Sequence, residues 1–161
     1  MPFLYYFVTW AVVTFVQVVV VPRLVISGIY PDILTAVIII ISLRYGRRFG
    51  VWFAFTLAIS VDLLDPHKLG WMTLLSSFLA YSAGIVRETI YLENPWFEST
   101  IVFIGTFVYL LFYRFLPEPQ LFFANFSKMI AESFLIAVYT VVVVGFIIVF
   151  QRQRYGAREL S

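Results

Sequence analysis

The stretch IYPDILTAVIIIISLRYGRR (residues 29–48) decides the fold. Its centre is an apolar run of about 15 residues, 29–43, opened by Pro31-Asp32 and closed by Arg44-Tyr45-Gly46-Arg47-Arg48. A second apolar run, 50–64, follows on the far side of the arginines. A helix that crosses a bilayer needs roughly 20 apolar residues, with about 17–25 the usual range. Each run is therefore short for a lipid-facing span. Two readings fit: two short helices shielded by neighbours, or a re-entrant hairpin. The distribution of charge decides for two spans.

Further out, the pattern repeats with longer runs. Residues 3–21 carry no charge, 70–86 are rich in small residues, 96–116 form a long apolar stretch, and 129–150 are interrupted only by Glu132. The reading is an all-α integral membrane protein, a six-helix transmembrane bundle in a single domain covering 1–161, ending in a basic cytoplasmic tail at 151–161. With six spans, Arg44, Arg47, Arg48, Arg87, Arg152, Arg154 and Arg158 share one side with the N-terminus. Arg23, Lys68, Arg114 and Lys128 lie on the other. The side richer in Lys and Arg faces the cytoplasm, so both termini are expected there. Residues 3–21 lack a charged leading segment and a small-residue cleavage site, and Pro22-Arg23 follows directly; they read as a retained helix.

Composition agrees. The 161 residues are 62% hydrophobic and 12% charged, with mean hydropathy +0.95. A soluble domain is about half apolar and about a quarter charged, so this chain has too little polar surface to cover a water-soluble globule. There is no cysteine, which excludes disulfides, thiolate catalysis and Cys-based zinc sites. His67 is the sole histidine, and it has no recognised metal-ligand spacing with Asp62 or Asp65. The net charge of +2 reports topology, not nucleic-acid binding. No phosphate-binding loop, HExxH, GxSxG or paired-aspartate motif is present. No cofactor, no metal and no catalytic residues are expected.

Charges at membrane depth need partners and are the first places to look for function. Asp32 follows Pro31 at the start of the second span. Either it opens the helix, as Pro and Asp do in a first turn, or it contacts a partner or another helix. Asp62 is flanked by Val61, Leu63 and Leu64. A buried carboxylate there requires a donor: backbone N–H groups near Gly70, or Lys68, or His67. A loop-closing cap is the simpler alternative. Glu132 and Arg114 stand near the same side and either pair across the bundle or reach the interface separately. Ala54 and Ala58 in span three, and Ser76, Ala80 and Gly84 in span four, are spaced by four residues, the small-residue pattern of closely approaching helices. Trp10, Trp52, Trp71 and Trp96 suit interfacial belts.

The middle third resembles a known family. Pro31-Asp32-Ile33-Leu34, the Arg44-Tyr45-Gly46-Arg47 break, the span ending in Asp62-Leu63-Leu64, then Leu69-Gly70 and a span containing Ala80-Tyr81 resemble, in order and spacing, the rod shape-determining protein MreD. The match covers about 30–84; outside it, only hydropathy agrees. The family usually has glycines in span three before the aspartate, where this chain has Ala54 and Ala58. The resemblance implies a non-enzymatic scaffold or regulator of the elongasome in the bacterial inner membrane. It implies binding to MreC and, directly or through it, to a class B penicillin-binding protein, RodA and MreB filaments. Candidate structural or partner-contact residues are Pro31, Asp32, Asp62, Gly70 and Tyr81. It also implies a fold similar to the substrate-binding S components of energy-coupling-factor transporters. An S component of an uptake transporter is accordingly the alternative function, and it would need a polar outward pocket. A lipid-modifying enzyme would need a clustered acid, base or metal set.

Overall fold

The computed structural model describes residues 2–23, 25, 28–64, 70–89 and 95–156. Seven helices and no strand are found among them. In chain order they are α1 (Pro2–Phe15), α2 (Ile33–Tyr45), α3 (Arg47–Asp62), α4 (Trp71–Thr89), α5 (Pro95–Phe115), α6 (Pro119–Ala124) and α7 (Phe126–Gly156). The helical path of α1 continues through a wide π turn at Val16–Val20 and a tight 3-10 turn at Val21–Arg23. Gln17, the polar residue of the π turn, accepts a hydrogen bond from the Leu34 N–H at 3.3 Å. A π turn in a helix commonly marks such a local demand.

α2 is the hub. It packs against α1, α3, α4, α5 and α7. Leu34, Thr35, Ala36, Ile38, Ile39, Ile41, Ser42 and Leu43 are all buried. A helix that is apolar on every side belongs in a core, and this one has no polar face to present to water. Its 13 residues are about 20 Å long, less than the roughly 30 Å of bilayer hydrocarbon. Helices pack around it on all sides, so α2 meets protein and not the surroundings of the bundle.

Two glycines set the spacing around it. A Cβ on Gly50 would collide with Ser42, including its Cα at 2.9 Å. A Cβ on Gly84 would collide with the Arg47 backbone, its nitrogen lying 2.6 Å away. α3 therefore lies backbone-close to α2 and to α4. Ala54, Ala58, Ser76 and Ala80 are fully buried, and α3 with α4 forms the most extensive helix pair. The alanines at 54 and 58 leave room enough for this contact without glycine. Gly46 alone joins α2 to α3, at φ 87° and ψ 171°, a conformation that favours glycine.

Two helices are long and apolar enough to cross a membrane, Trp96–Phe115 within α5 and Phe126–Gly145 within α7. The outer surface is apolar: Trp52 is 71% exposed and Phe78 68%. Two expectations are corrected here. The segment left between the expected spans 96–116 and 129–150 contains α6, started by Pro119 and held by Phe122 against Phe115 and Phe126. The final helix begins at Phe126 and runs to Gly156, through the first residues of the expected tail. Arginine is a good helix former, so the basic cluster does not end the helix.

Candidate functional site: two buried aspartates

Because one glycine links α2 to α3 and the two pack side by side, the start of α2 and the end of α3 lie at the same end of the bundle. Each carries an aspartate, and both are buried: Asp32 is 5% exposed and Asp62 4%.

Asp32 caps its own helix. Oδ1 accepts from the Thr35 N–H at 3.1 Å, and Oδ2 accepts from the Thr35 hydroxyl at 2.6 Å. The first N–H groups of any helix lack intrahelical partners, and a side-chain acceptor one step before the helix satisfies one of them. Gln17 of the π turn takes a second, that of Leu34. The Asp32 N–H in turn donates to the Thr140 hydroxyl of α7 at 2.8 Å, and that hydroxyl donates to the Ile136 carbonyl. Pro31, fully buried, precedes this turn. The start of α2 is thus held by residues from α1 and α7.

Asp62 caps a different helix. Its Oδ2 accepts from the Gly70 N–H at 3.1 Å, the Thr73 N–H at 2.9 Å and the Thr73 hydroxyl at 2.6 Å. The last residue of α3 so closes the first turn of α4. Negative charge is favoured at a helix N-terminus by the aligned peptide dipoles. Gly70, at φ 93°, has open space where a Cβ would go, so backbone conformation selects the glycine. The donor that Asp62 requires is the α4 backbone. The other two candidate donors, His67 and Lys68, lie outside the described residues, as does Asp65.

Tyr109 of α5 completes the polar end. It is buried, and it packs with Leu75, Leu110 and Ile136 in the core between α4, α5 and α7. Composition offered no signal for Tyr109, one tyrosine of ten; only the packing of α5 on α2 and α4 places it. At the rim, Arg114 donates to Glu132 at 2.9 Å and to the Met129 carbonyl at 3.3 Å. Lys128 adds a longer contact of 4.0 Å to the same carboxylate. Tyr81 does not join this site. It sits in the middle of α4, 46% exposed.

The opposite end is basic. Arg44 reaches Glu98 at 3.5 Å and Arg47 reaches Glu88 at 3.4 Å. Among the described residues, no group of three or more His, Cys, Asp or Glu stands close enough to hold a metal ion.

The aspartate end can order helix starts chemically. Each carboxylate meets donors on the chain's own backbone, Asp32 at the start of α2 and Asp62 at the start of α4. Comparison with known proteins adds no relative: no family model, no curated protein and no solved structure matches this chain.

Proposed function

We propose that the chain is a six-span bundle of a bacterial cytoplasmic membrane with both termini inside, acting as a non-enzymatic scaffold of lateral cell-wall synthesis similar to MreD. Its partner would be an MreC-like protein, linking it to a class B penicillin-binding protein, RodA and MreB.

One observation carries this reading. Four of the residues that resemble the family motif order two helix starts at one end of the bundle: Pro31-Asp32 for α2, and Asp62 with Gly70 for α4. A motif made of caps serves shape. A rigid polar end with buried carboxylates held by backbone N–H groups presents a fixed surface, as a scaffold requires. The membrane reading draws support from the apolar exterior and from the two helices long enough to cross. A charge excess of seven against four supports the orientation.

The test is recovery of the tagged full chain from native membranes in mild detergent, with mass spectrometry of what accompanies it. An MreC-like protein with cell-wall synthases is expected. ATPase subunits in their place would overturn the scaffold in favour of an uptake transporter.

A further inference from the structure

Tyr81 is a motif residue that takes no part in the caps. It lies on the outer face of α4, in the row Trp71, Leu74, Phe78, Tyr81 and Ile85, all exposed. The row advances by three and four residues in alternation, the spacing that seats one helix against another in a left-handed pair.

Tyr81 stands about 15 Å from the Trp71 end of α4 and about 12 Å from the Thr89 end. Half of the bilayer hydrocarbon is about 15 Å thick, so this residue lies near the midplane of a membrane that α4 crosses. Tyrosine suits the interface, where its hydroxyl meets water. From the midplane the side chain is too short to carry the hydroxyl there.

The hydroxyl has no hydrogen-bond partner among the described residues. The other hydroxyls of the outer surface are satisfied within their own helices. Ser77 donates to the Thr73 carbonyl and Ser82 to the Phe78 carbonyl of α4. Thr56 in α3 and Thr100 in α5 do the same. A phenol is held away from its own backbone by the ring and cannot make that turn. Acyl chains offer neither donor nor acceptor, and an unmatched polar group in hydrocarbon is costly.

A matching group must arrive at the same depth. A second copy of this chain brings one there by symmetry. Both copies insert in one orientation, so the twofold axis of a pair stands along the membrane normal and the two α4 helices run parallel. Each residue of the row then meets its own counterpart. A tyrosine hydroxyl both donates and accepts, so one Tyr81 donates to the other. Glu88 continues the row toward the basic end, and Arg47 of the same chain pairs with it at 3.4 Å. Two copies therefore do not meet there as bare like charges.

We propose that the outer face of α4 is an interface between two copies of this chain, centred on a hydrogen-bonded pair of Tyr81 side chains. The proposal rests on the membrane reading above.

The chain has no cysteine, so a single introduced cysteine forms a disulfide dimer only with its counterpart in a second copy. L74C and I85C, which keep Tyr81, are expressed as full chains and oxidised in native membranes. Both are expected to give a covalent dimer, because facing residues of a close helix pair come within disulfide reach. V142C, on the exposed face of α7, is expected to stay monomeric. The second measurement is energy transfer between labelled copies in vesicles, followed as lipid is added. Tyr81→Phe is expected to raise the dissociation constant roughly threefold to tenfold, the effect of one interhelical hydrogen bond in a membrane. Its thermal unfolding as a monomer should not change, since the hydroxyl holds nothing within the chain. Equal association of wild type and Tyr81→Phe overturns the proposal. Equal crosslinking of L74C, I85C and V142C also overturns it, because such dimers are random collisions. So does an adduct of another protein at I85C in place of the dimer. A chain that is found in the membrane and stays monomeric overturns this proposal alone. A chain absent from the membrane fraction overturns the membrane reading with it.

Discussion

α4 has two neighbours and treats them differently. Toward α3 it presents Ser76, Ala80 and Gly84, and the backbones meet. Toward α5 it presents Phe78 and Val86, and a groove remains. Each seam contains a glycine, Gly84 in one and Gly105 in the other. At Gly84 the facing atoms are the backbone of Arg47; at Gly105 the facing atom is the tip of Ile39, a flexible side chain. A small residue therefore closes a seam only when the opposite side is also small or is bare backbone. Lipid tails are as apolar as leucine, so helices in a bilayer gain nothing from simple burial and depend on close packing and hydrogen bonds. The α3–α4 seam has both.

The sharpest way to break this contrast is to place a side chain at Gly84. Gly84→Leu would force α4 away from the Arg47 backbone, which cannot rotate aside. Overpacking of this kind costs about 3 kcal/mol, and here backbone stands on one side. Thermal unfolding of the protein in detergent should fall strongly. The same substitution at Gly105 should cost less, since Ile39 can change rotamer; equal losses at the two glycines would refute the distinction between the seams.

The next effect belongs to the cap that orders the tight seam. Asp62→Ala leaves the Gly70 N–H, the Thr73 N–H and the Thr73 hydroxyl without their acceptor. A buried donor left unmet costs about 1–3 kcal/mol, and a lost cap about 1 kcal/mol. Destabilisation of about 2–3 kcal/mol is expected, with faster hydrogen exchange in the first turn of α4. Asp62→Asn, which keeps an acceptor oxygen, should recover part of it. An unchanged melting profile for Asp62→Ala would show that α4 starts without help from α3.

The smallest effect is at the rim. Arg114→Ala removes the ion pair with Glu132 and the bond to the Met129 carbonyl, both half-buried. Exposed pairs contribute about 0.2–1 kcal/mol, so a loss near the upper end is expected, diminished by salt. A loss as large as that of Asp62→Ala would make the α5–α7 rim, not the α3–α4 seam, the anchor of the bundle.

Much of the aspartate end was legible in the sequence because its parts are close in the chain. Asp62 in an apolar setting, eight residues before Gly70, announces a carboxylate seeking donors, and the α4 N–H groups answer it. The small residues of α3 and α4 likewise announce their contact. What could not be read spans long separations. The bond from Asp32 to Thr140 joins residues 108 apart, and nothing in either segment names the other. Gln17 stands among valines, and its contact with Leu34 joins residues 17 apart. α6 lies between the expected spans 96–116 and 129–150, in a stretch too short for a span, where Pro119 suits a helix start and Phe122 and Phe123 supply an apolar face. Tyr81 belongs to the motif by position and not by packing, since α4 turns it outward.

The bond between Asp32 and Thr140 also orders the protein in time. Translation proceeds at about 5–20 residues per second, so α7 emerges roughly 5–20 s after the start of α2. For that interval the central helix of the bundle exists without its last support. The Asp32 cap and Gln17 can hold the start of α2 early, whereas the bond to Thr140 waits for the final helix. A ribosome stalled before residue 140 would leave a nascent chain in which the Asp32 N–H lacks its Thr140 acceptor.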